Sequence, residues 1–222
     1  MSGASPPQSP SPAIRSSLFL LSAATLVFEI NLMRLFSVAQ FYHFAFLVVS
    51  LALLGFGASG TALALWPSLG RAQTNQAVSQ LGLAAALSIV GGYLFVNWLP
   101  FDSFSITWDW RQQVLLALNL LALASPFFCS GLAVGILLNT YANYAGQVYA
   151  VNLAGSALGC LVALVVPAWL GGEGATVLSS WLAALAGLPG SAAQWKTNWK
   201  AVTLAVVAVC LGLLDSVLRA DN

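Results

Sequence analysis

Ionisable side chains are so sparse in this sequence that any chemistry must be sought at a handful of positions. Glu29 and Arg34 lie in "VFEINLMRLFS", in or near the end of an apolar run, and His43 follows in "QFYHFAF". A charged group inside a bilayer costs about 2.5–3.5 kcal/mol at the midplane on insertion scales, so such residues are candidates for an intramembrane polar site. Five helical positions turn Glu29 and Arg34 about 140° apart. Each must then find its partner on another helix, unless Arg34 reaches the surface with its long stem. His43 could relay protons with Glu29, or it could join an interfacial aromatic belt beside Phe41 and Tyr42. Asn119 and Asn152 are amides within apolar runs and can hydrogen-bond between helices. Asp215, four residues before Arg219, reads as half of a local helix ion pair.

Glycine spacing offers a second chemistry. "LLGFGASGTALALW" contains Gly55-x-Gly57-x-x-Gly60, the spacing of a dinucleotide-binding fingerprint. That fingerprint works where a strand turns into a helix, so that the helix N-terminus meets a pyrophosphate. Here the upstream residues, "FYHFAFLVVSLALL", contain no polar break, and phosphate charge would be buried in hydrocarbon. Helix packing explains the glycines better. Gly55 and Ser59 are four apart, as are Gly57 and Thr61, Gly131 and Gly135, and Gly155 and Gly159. Small residues at this interval let two helices approach closely.

Other chemistries lack their residues. Cys129, Cys160 and Cys210 are far apart in apolar runs and read as small buried hydrophobes. His43 has no neighbouring Cys or His, so no metal site is expected. No Walker loop, nucleophile–base arrangement or water-accessible carboxylate pair stands out. Neither a cofactor nor catalysis by the chain alone is expected.

The elements that position these residues follow from composition. The chain has 222 residues, 59% hydrophobic and 6% charged, with mean hydropathy +0.88. Soluble domains carry about 25% charged residues. A membrane resolves the mismatch, with lipid as solvent for the apolar side chains. A net charge of +1 gives no electrostatic footprint for nucleic acid. Residues 1–15 form a Pro- and Ser-rich tail that cannot order itself, and 16–222 form the helical membrane domain.

Apolar runs of about 20 residues, the length of one crossing, recur at Ser17–Val38, Phe41–Trp66, Leu81–Leu99, Gln113–Leu138 and Gly146–Leu170. A short sixth run covers Ala175–Leu188, and a seventh covers Ala201–Leu218. The expectation is an all-α polytopic bundle of about seven spans, or six if the short run does not cross. The runs do not alternate as barrel strands do. Trp108 and Trp110, and Trp195 and Trp199, are expected at the headgroup level. With seven spans, Arg15, Arg71, Lys196 and Lys200 share one side, which the positive-inside rule makes cytoplasmic together with the N-terminus.

Three stretches carry a resemblance: "FEINLMRLFSVAQFYHFAFLVVSLALLGFGASG", "SPFFCSGLAVGILL" and "VYAVNLAGSALGCLVALVVP". Together they resemble the membrane-embedded N-terminal region of bacterial spermidine synthase-like proteins, over roughly Ser22 to Leu188. In that family several transmembrane helices precede a soluble aminopropyltransferase-type domain with a Rossmann-like fold. Asn152 stands where the family commonly has an acidic residue. The domain that would bind decarboxylated S-adenosylmethionine and a polyamine is not among these residues, so no catalytic residue carries over. The resemblance implies a non-catalytic module of the bacterial cytoplasmic membrane. Its expected partners are the lipid bilayer and a separate synthase-like protein or other membrane subunits. Two alternatives stand beside it. One is a transporter or carrier fragment for a small molecule such as an amine, with Pro126 and Pro167 as places for helix breaks. The other is a structural subunit of a larger membrane complex.

Overall fold

The computed structural model describes residues 9–39, 43–69, 74–99 and 108–188. They form five helices, α1 (Pro12–Ala39), α2 (His43–Leu65), α3 (Thr74–Trp98), α4 (Trp110–Thr140) and α5 (Ala145–Gly187), with a 3-10 turn at Ala142–Tyr144. No strand occurs among the described residues. Every one of the five is long and apolar enough to cross a membrane. Asp109 starts α4 as its N-cap, accepting a hydrogen bond from the Arg111 backbone N–H at 2.9 Å; such a cap satisfies a donor that the first turn leaves unpaired.

The expected seven helices are corrected to five among the described residues. The fifth and sixth apolar runs both fall inside α5, and the seventh, Ala201–Leu218, lies outside the described residues. Pro126 and Pro167 sit within helices that continue through them, so the break is elsewhere: Gly171 has φ 68° and ψ −177°. That backbone region is essentially restricted to glycine.

Side-chain contacts fix the direction of each helix. Ile14 and Leu18 cluster with Val78 near the starts of α1 and α3. Leu32 and Phe36 share a cleft with Tyr93 and Val96 near the ends of the same helices, so α1 and α3 run parallel. Gly155 packs on Phe19 and Gly159 on Ala23, so the first arm of α5, 145–170, runs parallel to α1. The second arm, 172–187, runs against α3. There the Tyr93 hydroxyl donates to Glu173 at 2.9 Å, the Ser180 hydroxyl donates to the Ala86 carbonyl at 3.0 Å, and the Ser79 hydroxyl donates to the Gly187 carbonyl. Helix α5 therefore doubles back at Gly171. Its second arm is about 24 Å long, shorter than the ~30 Å hydrocarbon layer.

At the centre, Phe28 of α1 and Phe127 of α4 are fully buried with ring centroids 5.8 Å apart. Leu21, Ala24, Ala86, Ile89, Leu123 and Ala183 pack around them. Small residues permit this density. A methyl group on Gly55 would lie 2.6 Å from Phe127 Cβ, and one on Gly159 would lie 2.5 Å from the Ala23 carbonyl oxygen. Gly131 meets Phe56 and Ser59, and Gly135 meets Leu63. Gly57 and Gly60 face away from the other described residues, none of which lies within 4 Å of where a Cβ would stand. In "GFGASG", then, only the Gly55 and Ser59 side packs against other described residues.

Candidate functional site

Of the polar residues predicted from sequence, the structure brings few together. Glu29 is half-buried on α1, and Arg34 is exposed. Neither forms a salt bridge or a side-chain hydrogen bond among the described residues. His43 is the first residue of α2, and its side chain is not among those described. Asn152, on the first arm of α5, accepts a hydrogen bond from the Ser22 hydroxyl at 2.7 Å. Ser22 and Glu29 are about 10 Å apart along α1. Glu29, Arg34 and Asn152 therefore do not converge on one site.

A buried polar seam links α1 to its neighbours instead. Ser22 meets Asn152 of α5, and Thr25 meets the Ser130 hydroxyl of α4 at 2.8 Å. Asn31 is fully buried, and its Nδ2 donates to the Gly172 carbonyl at 2.7 Å and to Thr176 Oγ1 at 2.9 Å. The Thr176 hydroxyl donates to the same Gly172 carbonyl at 3.0 Å. Asn31 thus ties α1 to the residues just past the reversal of α5. Asn31 is overshadowed in the sequence by the charged Glu29 and Arg34 on either side of it. A signal was nevertheless present, since steps of 100° place Asn31 on the opposite side of α1 from Ser22. A helix with buried hydrogen-bonding groups on opposite sides has to be enclosed by other helices.

The same end of the bundle holds a cleft of about 250 Å³. Its walls are apolar: Leu32, Leu35 and Phe36 from α1, Val96 from α3 and Leu123 from α4. Its polar groups are Tyr93 and Asn97 of α3 and Glu173 of α5. The Tyr93 hydroxyl donates to Glu173 Oε1, which holds the carboxylate at the cleft. The Asn97 amide donates back to the Tyr93 carbonyl at 3.0 Å. Tyr93 and Asn97 lie four residues apart on one helix face, while Glu173 arrives only because Gly171 reverses the chain two residues earlier. No sequence spacing announces that meeting.

Exposed aromatic residues mark the level of the cleft. Trp98, Trp108, Trp110 and Trp169 are all strongly exposed at this end of the bundle, and Trp66 is exposed at the other. Tryptophan favours the headgroup level of a bilayer, where its ring is apolar and its N–H stays wet. Between these ends, α2 exposes Leu53 and Leu54, and the first arm of α5 exposes Leu158, Leu161, Leu164 and Val165.

This cleft can hold a cation by charge and an apolar body by contact. Among the described residues no group of three His, Cys, Asp or Glu could hold a metal ion. Cys129 and Cys160 are free thiols, and Cys210 lies outside the described residues. No protein family, curated protein or solved structure matches this chain. Function has to be read from these residues and their geometry.

Proposed function

We propose that this chain is a non-catalytic integral membrane module that works with a partner protein, in the manner of the membrane half of spermidine synthase-like proteins. The observation that carries this reading is the outer surface of α2. Gly57 and Gly60 leave a shallow face there, beside exposed Leu53 and Leu54. The same kind of surface at Gly55 and Gly159 is filled by another helix. A shallow helix face embedded in lipid suits a second transmembrane helix, because small residues let backbones approach and pack.

The core disfavours the carrier reading. Secondary transporters bind substrate near the bilayer midplane, between broken helices. Here the middle of the bundle is filled by Phe28 and Phe127, and the helix break lies at one end. We infer a bacterial cytoplasmic membrane location with a cytoplasmic N-terminus. Arg15 lies at the N-terminal end of the bundle and Arg34 and Arg111 at the other, so that orientation depends on Arg71, Lys196 and Lys200, which lie outside the described residues.

Site-specific photo-crosslinking in native membranes tests the partner. A crosslinker at Thr61 on the shallow face of α2 should give a discrete adduct with one membrane-spanning or synthase-like polypeptide. The same group at Leu161 on α5 should give lipid adducts. Lipid adducts alone at both positions would remove the partner from the account.

A further inference from the structure

We propose that the end cleft binds a membrane lipid with a primary-ammonium headgroup. Among the described residues, Glu173 is the sole charged side chain lining the cleft, and it forms no ion pair with any of them. Tyr93 fixes one carboxylate oxygen at 2.9 Å, so the acid is oriented while its charge meets no cation among the described residues. The walls formed by Leu32, Phe36, Val96 and Leu123 require an occupant that is otherwise apolar. A polycation would have to bury its further charges against those walls, which is costly; an ethanolamine headgroup brings one ammonium to Glu173 and leaves its phosphodiester in water at the open mouth.

Position supplies the source of the ligand. Trp169, two residues before the Gly171 reversal, is 84% exposed, and Trp98 closes the same end of α3 at 76%. Their level is that of lipid headgroups, so the cleft opens where lipid ammonium groups lie. Its volume of about 250 Å³ is just under the roughly 300–1,000 Å³ of sites for drug-sized ligands. That space admits the ammonium end of a headgroup and the start of a chain, with the phosphodiester outside it. A primary ammonium brings three N–H donors to the carboxylate, whereas a quaternary ammonium brings none. The inference rests on the membrane reading, and it does not require a partner protein.

The test uses the full chain purified in a non-ionic maltoside detergent. It is titrated with phosphatidylethanolamine, phosphatidylglycerol and phosphatidylcholine of identical acyl chains, and bound lipid is read by native mass spectrometry. Phosphatidylethanolamine should be retained at roughly tenfold lower concentration than the others, as one charge-assisted hydrogen bond allows. Glu173→Gln should level the three lipids. Val96→Trp, which fills the cleft and spares the carboxylate, should also abolish the preference and serves if Glu173→Gln does not fold. Equal retention of the three lipids by the wild type, or a preference that survives both variants, would overturn the proposal. So would saturable binding of octylammonium without any preference for phosphatidylethanolamine. The crosslinking at Thr61 is independent of these outcomes, so loss of the lipid site and loss of the partner are told apart.

Discussion

Asn31 of α1 donates its side-chain amide to the carbonyl of Gly172, 2.7 Å away on α5. This bond joins α1 to the point where the chain reverses, and the carbonyl it serves also accepts from Thr176. Removing the amide leaves Thr176 as that carbonyl's side-chain donor and opens a small void among buried atoms. Asn31→Ala should lower stability by about 1–3 kcal/mol, the cost of a buried group losing its partner. Thermal unfolding in detergent reads this directly, and an unchanged melting temperature would mean that the reversal holds without Asn31.

The reversal itself depends on a backbone that only glycine adopts easily. Gly171 has no described residue within 4 Å of where a Cβ would stand, so an alanine there meets none of them. Gly171→Ala should still cost about 1–3 kcal/mol, purely from φ 68°. A neutral result would mean that the chain does not take this conformation.

The glycines of "GFGASG" separate by face. Gly55→Ala should destabilise by about 1–3 kcal/mol through overpacking against Phe127 and the backbone of α4. In purified protein without a partner, Gly57→Ala should stay within about 0.5 kcal/mol of wild type, as surface substitutions do. A drop at both positions would place a second helix of this chain over Gly57.

Glu29 has no ion-pair partner among the described residues, so its charge has nothing to lose there. Glu29→Gln should leave the melting temperature unchanged or raise it, whereas a large fall would reveal a bridge to another element. On the proposed module reading, the purified chain should transfer no aminopropyl group from decarboxylated S-adenosylmethionine to putrescine. Turnover above background would end the module reading.

Much of the fold was legible because lipid imposes a simple rule. A run of about 20 apolar residues reads as a helix that crosses, and the starts of α2 and α4 and the end of α3 lie close to the limits of those runs. Reversal of α5 was half visible: the gap between Leu170 and Ala175 marks the place, yet the prolines drew attention as breakers and Gly171 did not. Within α4 and α5 the helix runs on through both prolines, as transmembrane helices can when neighbouring groups take up the freed carbonyls. The polar sites were harder to see. Charge singled out Glu29 and Arg34, but hydrocarbon also makes neutral amides and hydroxyls valuable, and Asn31 and Thr25 gave the buried bonds. The cleft was not legible at all, because Tyr93 and Glu173 are 80 residues apart and meet through a turn made by one glycine.

Sided labelling tests the central claim, that α5 enters and leaves on the same side of a membrane. Single cysteines are placed at Tyr144, Glu173 and Leu188 in a chain whose Cys129, Cys160 and Cys210 are replaced by alanine. An impermeant maleimide is then applied to sealed vesicles, and again after lysis. Positions 144 and 188 should label from one side, and position 173 from the other. Labelling of 144 and 188 from opposite faces would make α5 a single straight crossing and would contradict the account.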